Sequence, residues 1–189
     1  LLYLITIHSI NWTKKYLNLG LIDRATTRQL TWGVDVPVDG YEDKKIYVWI
    51  EAVLGYLTTG NRVCQEREID FDKFMQDDEN LETYYVHGKD NIPFHTVIFP
   101  SLIKGINRGY QLPKHIISSH YMNMNDEKMS KSKGNLITAD ELGQMYDIDS
   151  IRYYLIANNP EQRDVNFSHE DFIQTHNKFL VGVLGNFIN

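Results

Sequence analysis

The spacing of apolar positions predicts strands alternating with helices. Trp12, Tyr16, Leu17 and Leu19 to Leu21 recur at roughly helical spacing, with Gly20 as punctuation. Arg28 to Gly33 (RQLTWG), followed by Val34, Val36 and Pro37, reads as an irregular extended segment ending in a turn at Val38-Asp39-Gly40. Lys45 to Glu51 (KIYVWIE) is a near-continuous β-branched and aromatic run, which predicts a strand buried on both faces with a helix after it. Thr83 to Val86 (TYYV) predicts a second strand, running into His87-Gly88-Lys89-Asp90. Pro93 then suits the first turn of a helix capped by Asp90 or Asn91, with Phe94, Val97, Ile98 and Leu102 as its buried stripe and Gly105 past its end. Ile116 to Ser119 (IISS) repeats the strand pattern, and the alternation implies an α/β fold with parallel pairing.

After Ser119 the pattern changes. Met122 to Asn135 (MNMNDEKMSKSKGN) reads as a polar loop, and two helices follow, opening at Thr138-x-x-Glu141 and at the weaker Ser168-x-x-Asp171 box. In the last helix Phe172, His176, Phe179, Val183 and Phe187 share one stripe, with Ile173, Leu180 and Leu184 beside it, as in a bundle helix packed on more than one neighbour.

Composition narrows the class. The 189 residues are 42% hydrophobic and 23% charged, which excludes disordered and collagenous chains. Cys64 is alone, which removes a disulfide framework and any multi-cysteine zinc site, and no apolar run approaches the roughly 20 residues of a membrane helix. A cytoplasmic protein with no membrane partner is the expectation. The net charge of −6 argues against non-specific nucleic-acid binding and leaves room for a specific RNA site. Residues 66–82 hold eight acidic groups against two basic ones, without metal-ligand spacing, and read as a solvated surface segment. The chain begins at Leu1 and ends at Asn189 within a helical pattern, so a piece of a longer protein is expected.

The usual phosphate-loop, dinucleotide, zinc and serine-hydrolase motifs are absent from the sequence. What stands out is Lys128-Met-Ser-Lys131-Ser-Lys133-Gly134-Asn135. Three ammonium groups at i, i+3 and i+5, among hydroxyls and beside a glycine, can converge on a polyphosphate; a solvated basic loop has the same spacing.

Lys128 to Ser132 reads KMSKS and resembles the second motif of class I aminoacyl-tRNA synthetases. Trp49-Ile-Glu-Ala52-Val-Leu-Gly-Tyr56 resembles the amino-acid pocket segment of the methionyl-tRNA synthetases, and Gly88-Lys-Asp90-Asn-Ile-Pro-Phe94-His95 their strand-to-helix nucleotide segment. Arg28 to Pro37 and Leu184 to Asn189 are similar to the same family, in the same order. The resemblance implies the second half of a Rossmann-type parallel-sheet catalytic domain (1–120), a lysine-loop and stem-contact region (121–167) and the first helix of an α-helical anticodon-binding bundle (168–189). It implies no resident metal, since the family zinc belongs to a connective peptide not found here, and a partner in the missing N-terminal half that carries the His-Ile-Gly-His motif. The sequence departs from the family at Glu51, where Asp is usual, at Val53, where many members have Pro, and at Asn91, where some have an aliphatic residue.

The implied reaction is attack of a methionine carboxylate on the α-phosphate of ATP, then transfer of the acyl group to initiator and elongator methionine tRNA. On this basis Lys128, Lys131 and Lys133 are the catalytic candidates, with Mg²⁺ assisting. Gly88, Asp90, Asp35 and Arg28 are the further candidates for ATP; Asp90 also suits a helix cap and Arg28 a surface ion pair. Trp49, Ala52, Tyr56, Asn91 and His95 are the methionine candidates, for which core packing is the bland reading of Trp49 and Tyr56, and a satisfied buried histidine that of His95. Asn186 matches an anticodon-reading position, where helix packing or capping serves equally. The 189 residues alone are expected to be inactive. Outside methionine ligation stand a non-catalytic synthetase-like RNA-binding or regulatory protein, a class I synthetase of other specificity and a related nucleotidyltransferase.

Overall fold

The computed structural model describes residues 5–76 and 79–188. Leu1 to Leu4, Asp77, Asp78 and Asn189 lie outside the described residues, and with them the start of the N-terminal apolar run, two of the acidic residues of 66–82 and the end of the expected C-terminal helical pattern. One compact unit extends to Ser118 and a second starts at Ser119.

In the first unit, α1 (Ile7–Asn18) is the expected N-terminal helix, starting five residues earlier than Trp12. Strands β1 (Thr27–Arg28) and β2 (Lys45–Ile46) pair antiparallel, Thr27 opposite Ile46. The segment between them is irregular, with bends at 31–33 and the expected turn at Val38–Gly40, and only Asp35 forms a bridge, to Lys45. Gly40 sits at φ +84°, in the left-handed region that glycine enters without a Cβ clash.

Lys45 to Glu51 is not a strand: only Lys45–Ile46 is extended, and α2 (Val48–Glu66) starts after Tyr47. A short apolar run has the same pattern in a strand and in the first turns of a buried helix, and length decides between them. Here the 19-residue helix continues the run. It turns Val53, Leu57 and Cys64 inward, and a Cβ on Gly60 would come within 3.3 Å of the Phe71 ring. The short α3 (Phe71–Gln76) follows.

Strands β3 (Tyr84–Gly88) and β4 (His115–Ser119) are neighbours, and Ile5 pairs with Ile116 in parallel. Between them the chain makes a 3₁₀ turn (Lys89–Asn91), a π-helical stretch (Phe94–Ile98) and α4 (Phe99–Ile106). Three expectations are corrected here. No side chain caps the helical stretch that starts at Phe94, because Asp90 and Asn91 belong to the 3₁₀ turn. The wide π turn changes the angular register, so Ile92, His95, Phe99 and Ile103 are the fully buried positions, while of the expected stripe Phe94 and Leu102 pack against the core half-buried and Val97 and Ile98 are half-buried beside them. The helix passes through Gly105 and stops at Asn107, whose φ of +54° supplies the left-handed cap. Val53, Met75, Phe99, Ile103 and Tyr110 form the first core.

In the second unit the expected polar loop is ordered. β5 (Met122–Met124) and β6 (Glu127–Lys128) form a hairpin whose two turn residues, Asn125 and Asp126, have φ of +52° and +62°. Both central residues of a tight hairpin turn need positive φ, which Asn and Asp tolerate best after Gly. β7 (Val165–Phe167) pairs parallel with β5, giving the order β6-β5-β7. The connection holds α5 (Ala139–Met145) and α6 (Ile148–Ala157); α6 was not foreseen, although Asp147 caps it by accepting from Ser150 N at 3.1 Å. The Thr138–Glu141 box is complete, with both reciprocal bonds made. Ser168 caps α7 (His169–Thr175) at 3.1 Å. The chain continues as a π-helical stretch (His176–Gly185) and α8 (Asn186–Ile188). Of the expected stripe only Phe172 is buried; Phe179, Val183 and Phe187 are exposed. Leu142, Tyr154, Phe167 and Phe172 make the second core, against which Met129 of the lysine motif packs.

Candidate functional site

In the first unit, an aromatic cluster forms where α2 meets the segment after β3. His95 is buried, and its Nδ1 lies 2.9 Å from the Asn91 carbonyl oxygen. A carbonyl only accepts, so Nδ1 carries the proton and Nε2 accepts from the Tyr56 hydroxyl at 2.9 Å. Burial holds the His95 pKa below its ordinary value, which keeps the ring in the neutral form this pattern requires. His87 stacks on His95 with centroids 4.0 Å apart, and burial lowers its pKa as well. Tyr85 meets Tyr56 edge-on at 5.1 Å, and its own burial pushes its hydroxyl up to about 12. Trp49 stacks on Phe94 at 4.9 Å. An open cavity of about 690 Å³ has Ala52, Tyr56, Val63 and Phe74 among its walls; Trp49, Asn91 and His95 do not line it.

Four of the five methionine candidates are therefore tied into this cluster or its hydrogen bonds, and Ala52 joins Tyr56 at the cavity. Sequence reading missed Tyr85, His87 and Phe94 as its other walls. The two-residue period of a strand was the available signal, since Tyr85 and His87 alternate with the exposed Tyr84 and Val86 along β3.

Gly88 has an ordinary φ of −73°, and a Cβ there would meet nothing within 4 Å. The fold itself does not require glycine at this position, so its bare backbone is available to a ligand. Asp90 is exposed on the next turn. Arg28 and Asp35 lie on the β1–β2 ribbon, each engaged locally. The Arg28 guanidinium sits 4.1 Å over the Tyr47 ring and donates to the carbonyls of Ala25 and Thr27, in place of the surface ion pair considered for it. The Asp35 carboxylate is paired with Lys45.

The lysine motif belongs to the second unit. Lys128 Nζ lies 4.4 Å over the Tyr121 ring, and Lys133 Nζ lies 3.3 Å from Glu127. Lys131 is exposed, and its ammonium has no partner among the described residues. The 3₁₀ turn Lys131–Lys133 ends at Gly134, whose φ of +68° is left-handed. Asn186 donates its amide to the Gly182 carbonyl at 2.8 Å, a bond within its own helical segment. Among the described residues no three His, Cys, Asp or Glu side chains are grouped to hold a metal. The carboxylate nearest the lysines in sequence, Glu127, already pairs with Lys133. These donors do not make a Mg²⁺ cage.

A protein-family model described as tRNA synthetases class I (M) matches residues 5–189. The chain belongs to the class I tRNA synthetases of the methionyl type. A methionine–tRNA ligase of Bacillus anthracis is 48% identical over 182 residues, covering 96% of this chain and 33% of that protein. One from Bacillus cereus is 47% identical over the same span. A crystal structure of Mycobacterium tuberculosis methionyl-tRNA synthetase bound by methionyl-adenylate superposes with a TM-score of 0.78 at 27% identity, over 97% of this chain and 34% of that one. The chain thus spans about a third of the length of the curated relatives it matches. Against this methionyl-type synthetase background, the mixed α/β elements of both units are the class I synthetase fold.

Proposed function

We propose that this chain carries the methionine and adenosine contacts and the phosphate-neutralising loop of a methionine–tRNA ligase. The observation that supports this most is the hydrogen-bonded series from Tyr56 through His95 to Asn91, which links three methionine candidates drawn from two distant segments. With Trp49 stacked beside it, the series offers an aromatic, polarizable wall of the kind a thioether packs against. Asp90 holds the ribose and Gly88 admits the adenosine; Arg28 and Asp35 assist from the ribbon.

In the proposed reaction a methionine carboxylate oxygen attacks the α-phosphorus. The bond from that phosphorus to the bridging oxygen breaks, and pyrophosphate leaves with the electron pair. The hydroxyl of a tRNA 3′-terminal ribose then displaces AMP. No side-chain nucleophile is needed, so catalysis is positioning and neutralisation of phosphoryl charge. Lys131 supplies the charge at once, while Lys128 and Lys133 must first leave Tyr121 and Glu127. We keep the division into a Rossmann-type half (1–120), a lysine-loop region (121–167) and an anticodon-bundle helix with Asn186 (168–189), with methionine tRNAs as partners and the cytoplasm as the site of action.

The test is methionine-dependent exchange between ATP and pyrophosphate, measured on the complete gene product. Lys131→Ala is expected to lower the rate at least tenfold, one preorganised donor being worth roughly 3 kcal/mol, with the KM for methionine unchanged. Wild-type protein that exchanges with none of the twenty amino acids would instead identify the non-catalytic RNA-binding alternative, and exchange with another amino acid would overturn the methionine assignment.

A further inference from the structure

Around the lysine motif, Asn135 makes the pattern of contacts that the proposed function leaves without a role. Its Oδ1 accepts from the Ser130 backbone N–H at 2.9 Å, and its Nδ2 donates to the Lys128 carbonyl at 3.1 Å. One planar amide thus binds both backbone groups flanking Met129, whose side chain packs against the second core. The segment from Lys128 to Asn135 is thereby closed into a ring, pinned at Met129 on one side and fastened by a side-chain amide on the other. Within the ring, the 3₁₀ turn has Lys133 N bonded to Ser130 O and Gly134 N bonded to Lys131 O, both at 3.3 Å, with Ser130 and Ser132 hydroxyls 2.9 Å apart. Gly134 is in the left-handed conformation where the chain turns back to bring Asn135 over Ser130. Lys131 opens the 3₁₀ turn of this ring, is exposed, and is the one lysine of the three whose ammonium is unengaged among the described residues.

We infer that Asn135 is a positioning residue for the ATP-activating reaction: it closes the lysine loop and so fixes the backbone from which Lys131 reaches the phosphates. The inference rests on the proposed role of Lys131. A loop held open by solvent samples many backbone states, and closing it beforehand removes that cost from the step in which the ammonium must meet developing charge. An amide suits the position because it presents one acceptor and one donor in a plane, matching one backbone N–H and one C=O. Aspartate keeps the acceptor for Ser130 N–H but has no donor for the Lys128 carbonyl.

The experiment is a double-mutant cycle in methionine-dependent ATP–pyrophosphate exchange on the complete gene product, comparing wild type, Lys131→Ala, Asn135→Ala, Asn135→Asp and the Lys131→Ala/Asn135→Ala double variant. Asn135→Ala is expected to lower kcat about tenfold with the KM for methionine within twofold of wild type, and Asn135→Asp to fall between the two. The double variant should be no slower than Lys131→Ala alone, since the amide acts only through that lysine. A general loss of folding would multiply the two effects and lower the melting midpoint, and that outcome overturns the inference. So does an Asn135→Ala rate within twofold of wild type while Lys131→Ala is slow. If Lys131→Ala itself exchanges normally, the role of the lysine fails first and the clasp with it; an inactive wild type rejects the ligase reading separately.

Discussion

Proton placement on His95 follows from a single neighbour. The Asn91 carbonyl fixes the hydrogen on Nδ1, and this makes Nε2 an acceptor for Tyr56 only while the ring is neutral. Protonation would turn Nε2 into a donor and set it against the hydroxyl hydrogen. His87 stacks on it at 4.0 Å, and burial places both folded pKa values below the ordinary 6.5. Between each folded value and 6.5 the unfolded chain therefore binds more protons than the folded one, so stability rises with pH across that window. The contribution is complete above about pH 6.5 and is lost as the pH falls through the folded values. Glu82, held below its ordinary 4.5 chiefly by the His115 hydrogen bond, and Glu141, held down by the Thr138 backbone, titrate at more acidic pH. Melting midpoints measured from pH 8 to pH 5 should stay level to about 6.5 and then drop, and His95→Gln should flatten the drop in part. A wild-type midpoint that is level throughout would show that these rings are not held neutral by the fold.

At the scale of elements, the strongest sequence signals were those in which one local rule acts alone. The Thr138–Glu141 box is one: Thr138 Oγ1 accepts from Glu141 N at 3.2 Å while Glu141 Oε2 accepts from Thr138 N at 2.8 Å. Thr138→Ala removes the first of these and is expected to cost about 1 kcal/mol. Denaturant unfolding should show it as a lower midpoint with an unchanged slope, and a midpoint equal to wild type would mean the cap contributes nothing here. The TYYV and IISS strands and the Val38–Gly40 turn were legible for the same reason. Lys45 to Glu51 was not, because its five consecutive apolar and aromatic residues, Ile46 to Ile50, satisfy a strand and the start of a helix equally until the rest of α2 is folded. The buried face after Pro93 was read only in part, Phe94 and Leu102 packing on the core but His95, Phe99 and Ile103 being missed, because a π turn departs from the 3.6-residue period on which the reading depends. The Tyr56–His95 bond joins residues 39 apart, and the sorting of three lysines by Tyr121 and Glu127 depends on a hairpin. Such pairings need tertiary structure, and resemblance to a family supplied the candidate residues that local spacing could not.

For the molecule as a whole, the division at Ser118 separates two sets of chemistry and two cores. The aromatic cluster stands on the core of Val53, Met75, Phe99, Ile103 and Tyr110, and Phe99 itself touches both Tyr56 and Tyr85 through ring contacts at 5.6 and 5.4 Å. The lysine ring stands on the other core, through Met129. Phe99 is completely buried, so Phe99→Ala leaves a cavity and is expected to cost about 3–5 kcal/mol. Because Phe99 makes no part of the second core, the cost should be local. Amide hydrogen exchange is the measurement that resolves it by segment. Protection should fall across α2, α4 and β3 in the Phe99→Ala variant and persist in α5, α6 and β7. Tyr154→Ala should give the reverse pattern, since Tyr154 is buried in the second core and donates to Asp171 at 2.6 Å. Uniform loss of protection in either variant would show that the two cores unfold as one cooperative body, and the separation of methionine contacts from phosphate chemistry would then be a division of residues without a division of stability.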